Sequence, residues 1–381
     1  MLQKEGKTLF FLKIFFSVQK GCTGWWYICS VLKNNYMADY RRLIEGIQGR
    51  YNPDFNREVQ NRSIQDLAGI DRDIAKYVKL AMNEVDDYYT QKTLEAGENA
   101  KTHLRENLRF AVDFEYQGSV MTRTHIRGAS DIDLLTITRK FNDTDYSKAV
   151  DFVNSNLYGF GLDKVRSWLY YFNAYTGNTN ADLRELRLDD ERVLRMRYSQ
   201  CDTSKPKSIK ITNLHLHRDV DVVVASWHDS LNYIRGYGDE YRGVQIYDKD
   251  KDLRLGPDFP FLSIKRINDR SSETGGRLKK MIRFLKNVRT DSENKIDLNS
   301  FEINAICYDI PTTEYKDAYY LDLVRIIWLK LYHLCQNQKE ANNLKSVDGT
   351  EYVFRGKDDK LKHLKQLENE IWKLYNEIDK K

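Results

Sequence analysis

Alternating apolar and polar residues mark two segments in the first half of the chain, and this period of two is typical of half-buried β-strands. In the first segment the apolar side chains occupy every second position: Phe110, Val112, Phe114 and Tyr116. The second segment, residues 134–138, is rich in apolar and β-branched residues. Because the small residues Gly118 and Ser119 follow the first segment, the pattern predicts a turn between two strands.

Apolar residues that recur every three or four positions predict helices in much of the remaining chain. This spacing predicts one long helix over residues 63–96, capped at its start by Ser63, and a second segment that reaches residue 107. It predicts further helices at residues 146–154, 163–173, 277–289, 319–335 and 361–378. Between them, residues 192–198 have a strand pattern, residues 202–206 a hairpin turn into a strand at 208–211, and residues 231–262 the composition of an irregular connection.

Two aspartates, Asp131 and Asp133, lie at the start of the second strand segment. Side chains on a strand alternate between faces, so both carboxylates should project to the same side. Mg²⁺ prefers oxygen ligands of this kind, usually together with water and substrate phosphate. Gly118 lets the backbone approach a ligand closely, and Ser119 can cap a short helix whose free N–H groups favour phosphate. We therefore expect the aspartates to hold Mg²⁺, with Mn²⁺ as the alternative, and the turn to hold phosphates.

A clamp of two metal ions needs a further carboxylate from another element, and residues 214–225 offer one. Apolar residues at positions 214, 216, 220, 222 and 224 share one face, which places Asp219 and Asp221 on the other face with His215 and His217. Periodicity does not choose between the two aspartates. We select Asp221 because it directly precedes the most apolar part of the strand. The two histidines have no cysteine at ligand spacing, so a zinc site is not expected.

Together these motifs resemble the nucleotidyltransferases of the polymerase-beta superfamily, and within it the cGAS/DncV-like group (CD-NTases). The resemblance rests on Gly118-Ser119, on Thr124 five residues after the serine, on the Ser-Asp-x-Asp run that ends at Asp133, and on the later Val-Asp-Val-Val strand with Asp221. It covers roughly residues 110–308 and implies an α+β fold with two lobes. In that fold a mixed sheet forms the core, a long N-terminal helix braces the lobes, and the C-terminal lobe is helical.

The resemblance also implies a function, the Mg²⁺-dependent synthesis of a cyclic di- or oligonucleotide second messenger from ATP, GTP or other NTPs. It places this activity in bacterial anti-phage signalling (CBASS), where a downstream effector reads the product. It implies that Thr124 binds nucleotide, as do Lys286 in the run Phe284-Leu285-Lys286 and Ser300 beside Phe301, with Lys279 as the competing lysine. The alternatives are a linear oligoadenylate or RNA-tailing transferase and a catalytically silent nucleotide-binding module. The residues themselves argue only for nucleotidyl transfer.

The first 36 residues differ from the rest of the chain. Their apolar run is broken by Lys13, is too short to span a membrane and has no clear small-residue cleavage site. We interpret them as an extended start, with the functional protein beginning near Met37, and a membrane-associating tail is the alternative. We then expect a helical brace at residues 37–107, a catalytic core at 108–230 and a mainly helical C-terminal lobe at 231–381.

Charge and cysteine content indicate which binding partners and which cellular compartment to expect. Lys and Arg exceed Asp and Glu by 61 to 56, and this net charge of +5 is too small to indicate a general nucleic-acid coat. Five scattered cysteines fit a reducing cytoplasm, and no stable membrane contact is expected. The chain lacks the His/Cys zinc insertion of the animal DNA-sensing relatives, so activation by duplex DNA is not implied.

Overall fold

The computed structural model describes residues 39–50, 67–128 and 131–380, and the account below concerns its compact unit Arg41–Lys381. The predictions for residues 1–36 and for a helix start at Ser63 lie outside the described residues. The strands are β1 Val112–Gln117, β2 Ile132–Thr144, β3 Cys201–Asp202, β4 Ile209–Asn213, β5 Arg218–Asp229, β6 Arg242–Asp248 and β7 Leu253–Arg254.

Three helices precede the first strand, others separate groups of strands, and the rest follow one another to the C-terminus. The helices are α1 Tyr40–Gly49, α2 Asp73–Met82, α3 Asp87–Asn107, α4 Tyr146–Ser155, α5 Leu162–Tyr171, α6 Thr179–Arg197, α7 Leu231–Arg235, α8 Pro260–Glu273, α9 Arg277–Asp291, α10 Ser300–Asp309, α11 Thr312–Tyr315, α12 Tyr320–Gln336, α13 Gln338–Asn343 and α14 Asp358–Asp379. Among the described helices, none is both long and apolar enough to cross a bilayer.

The strands form one mixed sheet in the order β1-β2-β5-β4-β3. The central strands β2 and β5 run parallel, while β1 is antiparallel to β2 and β4 is antiparallel to the first half of β5. The second half of β5 pairs with β6, which in turn pairs with β7. Because residues 242–254 extend the sheet, the prediction of an irregular connection over 231–262 is wrong. The domain boundary at residue 230 stays a prediction.

The two faces of the central strands differ, as the alternation of the sequence predicts. Ile132 and Leu134 of β2 lie on one face with Val220 and Val222 of β5, and all four are buried against helices α3 and α6. Burial of such a side chain stabilises the fold by roughly 1.5–3 kcal/mol. The opposite face carries carboxylates where these strands begin and apolar residues farther along, against Phe261 of α8. The apolar face therefore fixes the sheet on its helices and leaves the acidic end of the other face available.

One helix prediction and one strand prediction need correction. The long helix expected over 63–96 is interrupted, because α2 ends at Met82 and the Asp86 side chain accepts a hydrogen bond from the Tyr89 N–H to start α3. The strand expected over 192–198 is instead the end of α6. Apolar residues of α6 at helical spacing, such as Leu186 and Val193, face the sheet, so packing overrides the short local pattern.

Two turns also differ from expectation. Residues 214–217 form a turn before β5 begins at Arg218, so His215 and His217 are not on the strand face with the aspartates. The segment after Gly118 is a turn closed by the Thr124 N–H donating to the Ser119 carbonyl, 2.9 Å, and it has no short helix for Ser119 to cap. The helices expected near 146–154, 163–173, 277–289, 319–335 and 361–378 are present, and the hairpin of β3 and β4 is formed.

Candidate active site

Two of the candidate carboxylates stand side by side where the parallel strands begin. Asp133 of β2 and Asp221 of β5 are direct partners in the strand register, so their side chains project from the same face of the sheet. Asp131 lies two residues before Asp133, and Asp219 lies two residues before Asp221, on that same face. The fold therefore brings four acidic side chains from two separate segments to one edge of the acidic face.

Gly118 lies against this carboxylate pair. Its φ is +87°, in the left-handed region, and a Cβ at this position would lie 2.2 Å from Oδ2 of Asp133. Only a residue without a side chain fits both the backbone conformation and the space beside Asp133. The first residue of the predicted phosphate turn is thus in close contact with the second predicted metal ligand.

Two lysines from the β3–β4 hairpin pair with three of these four carboxylates. Lys205 donates to Oδ1 of Asp221 at 3.1 Å, and Ser208 donates to the same oxygen at 3.2 Å. Lys210 lies between Oδ2 of Asp131, at 2.6 Å, and Oδ2 of Asp219, at 2.8 Å. Asp219 also accepts a 2.6 Å hydrogen bond from Thr212. Its two oxygens are therefore both engaged within the hairpin.

Asp133 has the most perturbed environment of these acids. Its removal from water, together with the negative charges of Asp221 and Asp131, raises its pKa to about 7. A carboxyl surrounded by like charges in this way favours a bound cation, because a cation offsets both the desolvation and the repulsion. Oxygen donors are also the ligand type that Mg²⁺ and Mn²⁺ take.

The carboxylates nevertheless do not converge as a finished metal site. Within residues 39–50, 67–128 and 131–380, no three His, Cys, Asp or Glu side chains are grouped closely enough to hold a metal ion. Asp131 pairs instead with Lys210, and Asp221 pairs with Lys205. In its chemistry the donor set fits a divalent cation, and a bound ion would have to take the place of a lysine ammonium.

The predicted nucleotide-binding residues Thr124 and Lys286 contact each other. The Lys286 ammonium donates to the carbonyl oxygen of Thr124 at 3.1 Å and to its hydroxyl at 3.3 Å, and both side chains are buried. Burial and the charge of Arg289 lower the pKa of Lys286 to about 7. In this structure Lys286 therefore holds the end of the Ser119–Thr124 turn, and its predicted contact with donor phosphates stays a prediction.

Arg283, one turn before Lys286 in α9, supports the same loop. It donates to the carbonyl oxygen of Arg123 at 2.7 Å and to that of Met82 at 2.8 Å. Lys279, the competing lysine, is half-exposed, and burial lowers its pKa. Ser300 is the first residue of α10, which Asn299 caps. Roles for Lys279 and Ser300 in nucleotide binding also stay predictions.

Sequence reasoning missed the lysines of the hairpin. Lys210 occupies a polar position between the buried residues Ile209 and Ile211, so alternation alone places it on the face opposite to them. Its nearness to the aspartates follows from the register, in which Lys210 is the cross-strand partner of Asp221. Working out the register of the hairpin against the second carboxylate strand would have revealed it.

The chain is similar to several known proteins. A family model described as the cGAS/DncV-like nucleotidyltransferase C-terminal helical domain matches residues 265–376. A c-di-GMP synthase of Lachnospiraceae bacterium (strain RUG226) is 48% identical over 345 residues, which are 90% of this chain and 99% of that protein.

Solved structures extend the similarity. The STING-associated CdnE c-di-GMP synthase from Capnocytophaga granulosa is 42% identical with a TM-score of 0.73, and the match covers 89% of this chain and 98% of that one. The Rhodothermus marinus CdnE c-UMP-AMP synthase, solved with Apcpp and Upnpp, is 18% identical with a TM-score of 0.57, over 77% of this chain and 94% of that one. At this lower identity the likeness shows the fold alone.

Proposed function

We propose that this chain, which belongs to the cGAS/DncV-like nucleotidyltransferase family, converts two molecules of GTP into cyclic di-GMP. The family, the α+β fold class, the nucleotidyltransferase activity and the cyclic-nucleotide function predicted from the sequence are confirmed by the relatives. The choice of GTP and of a two-membered ring is the proposal. Its support is the name c-di-GMP synthase carried by a relative that matches 90% of the chain at 48% identity.

The reaction forms one ester bond in each of two steps. A ribose hydroxyl of one GTP gives up its proton to solvent and attacks the α-phosphorus of the other. The bond from that phosphorus to the oxygen that bridges to the β-phosphate breaks, and pyrophosphate leaves with that oxygen and the bonding electrons. The same exchange in the opposite direction closes the ring. Since no redox change or second substrate is needed, the protein's contribution is positioning and electrostatic stabilisation.

The observation that carries the nucleotidyl-transfer part of this proposal is the pairing of Asp133 with Asp221 in the register of β2 and β5, with Asp131 on the same face. We assign Asp131, Asp133 and Asp221 as ligands of Mg²⁺, or of Mn²⁺ in its place. A divalent ion there would polarise the α-phosphate and offset its developing charge. Asp221 orients the attacking hydroxyl. We leave Asp219 out of this set because Thr212 and Lys210 engage both of its oxygens.

We assign the turn beside Asp133 to binding of the phosphates that leave as pyrophosphate. Gly118 brings the backbone close to the carboxylates, and we assign Gly118 and Ser119 to the triphosphate. Thr124, Lys286, Lys279 and Ser300 are the further candidates for nucleotide contact. The substrates are cytoplasmic nucleotides, so we place the enzyme in the cytoplasm, where its product would act on an effector. The STING association of the Capnocytophaga granulosa relative favours a receptor of that type and a role in anti-phage defence.

Incubation with GTP alone, and separately with all four NTPs, in the presence of Mg²⁺ tests the proposal. We expect one phosphatase-resistant product with the mass of cyclic di-GMP from GTP alone. A phosphatase-sensitive product would support linear transfer instead, and no product from folded protein would support the silent module. The control is Asp131→Asn, which keeps the side-chain shape, removes the charge and should abolish turnover without unfolding the protein.

A further inference from the structure

Lys210 lies between the carboxylates of Asp131, which is a proposed metal ligand, and Asp219, which is not. Its ammonium lies 2.6 Å from Oδ2 of Asp131 and 2.8 Å from Oδ2 of Asp219. The side chains of all three residues are about one-third exposed or less, so water screens the pairs only in part. The backbone of Lys210 is fixed, because the neighbouring residues Ile209 and Ile211 are fully buried.

The two carboxylates that share Lys210 are not equivalent. Asp219 is fixed by a 2.6 Å hydrogen bond from Thr212, its cross-strand partner in the neighbouring strand β4. Asp131 immediately precedes β2 and belongs to the proposed metal ligands. An ammonium and a divalent ion cannot both lie against one carboxylate at close range without strong repulsion. A metal ion that binds Asp131 must therefore displace Lys210 from that carboxylate. The displaced ammonium can stay paired with Asp219.

We propose that Lys210 is a positioning residue that serves as the internal counter-cation of the metal-free site. It competes with the divalent ion for Asp131 and stays on Asp219 when the ion binds. The proposal for Lys210 rests on the proposed function only because that function requires a divalent metal ion. It gives Asp219 a role distinct from that of Asp221, namely to hold the displaced lysine.

Binding of Mn²⁺ without nucleotide, measured by electron paramagnetic resonance or calorimetry, tests this proposal independently of turnover. Lys210→Met should bind Mn²⁺ about three- to tenfold more tightly than the wild type, because a partly exposed competing ion pair is lost. In EDTA, Lys210→Met should melt at a lower temperature than the wild type, since Asp131 and Asp219 then lack their counter-cation. Asp131→Asn should abolish Mn²⁺ binding and so identify the site.

The control for general charge is Lys207→Met, which removes the same charge from an exposed position in the same hairpin. It should change Mn²⁺ affinity by less than about twofold. Asp219→Asn should weaken Mn²⁺ binding in the wild type but have little effect in the Lys210→Met background, because the anchor matters only while the lysine is present. Circular dichroism checks that each variant is folded.

Equal or weaker Mn²⁺ binding by folded Lys210→Met overturns the proposal, and so does an equal effect of Asp219→Asn in both backgrounds. A protein that makes no cyclic product yet shows the expected Mn²⁺ pattern would refute the proposed function and leave the role of Lys210 intact. If the protein makes cyclic di-GMP but Lys210→Met binds Mn²⁺ no more tightly than the wild type, the role of Lys210 is refuted and the proposed function stands.

Discussion

Replacement of Gly118 by alanine tests the contact between the turn and the carboxylate pair. The new Cβ would lie 2.2 Å from Oδ2 of Asp133, whereas real Cβ atoms essentially never come within 3.0 Å of a non-bonded heavy atom from elsewhere in the chain. Asp133 or the turn must therefore move by roughly 0.8 Å. A displacement of about 1 Å at a reacting centre costs on the order of 100-fold in rate, and we expect that loss in turnover.

The matched control is Gly356→Ala. Gly356 has a φ of +71°, and a Cβ built on it meets nothing within 4 Å. Both variants place alanine in the left-handed region, so both should lower the free energy of unfolding by about 1–2 kcal/mol. Only Gly118→Ala should also lose turnover.

Pyrophosphate release from GTP measures turnover, and urea denaturation measures the free energy of unfolding. If Gly118→Ala retains the turnover of Gly356→Ala at equal stability, the turn does not control the position of Asp133. The reasoning about the site geometry would then be refuted.

Three further predictions concern the carboxylates, the loop contact and a buried acid. Asp221→Asn should reduce turnover at least about 100-fold and Asp219→Asn less than about tenfold, because only Asp221 adjoins Asp133; equal losses in the two variants would contradict the assignment. Lys286→Met should speed amide hydrogen exchange across residues 119–125, whereas Lys279→Met should not, and similar exchange in both would show that the buried ammonium does not hold the turn. Burial and Asp348 raise the pKa of Asp258 to about 6 from 3.8, so the unfolded chain loses this proton first and the carboxyl destabilises the fold as pH rises from about 4 to 6. Asp258→Asn should therefore be more stable than the wild type by about 1–3 kcal/mol at pH 8, with a smaller difference near pH 4, and a pH-independent difference in urea denaturation would contradict this.

The acidic face of the sheet could be predicted from the sequence because it depends on local alternation. The spacing of Asp131 from Asp133 and of Asp219 from Asp221 puts each pair on one face of its strand, and the apolar neighbours show which face is buried. The parallel register that sets Asp133 beside Asp221 is a tertiary property, and no local pattern specifies it. Proximity of the two pairs was therefore an expectation drawn from the chemistry of a metal clamp, which needs carboxylates from more than one element.

Misassignments arose where local pattern and packing disagree. Residues 192–198 alternate over too short a stretch to distinguish a strand from a helix end, and burial of Val193 and Leu194 against the sheet decides for the helix. The helical spacing around Lys286 was apparent, but its burial against Thr124 was not, because a basic run reads as a solvated face until its partner is known. The lysines of the β3–β4 hairpin escaped notice because their contacts with the aspartates follow from the register of β4 against β5.

The central claim is that Asp131, Asp133 and Asp221 are the ligands of a divalent metal ion and that Asp219 is not. A crystal structure with Mg²⁺ and a non-hydrolysable GTP analogue tests it most directly. We expect metal–oxygen distances of about 2.1 Å to carboxylates of all three residues, with the Lys210 ammonium remaining on Asp219 alone. Metal bound to Asp219 in place of Asp221, or nucleotide bound with Lys210 still on Asp131, would contradict the account.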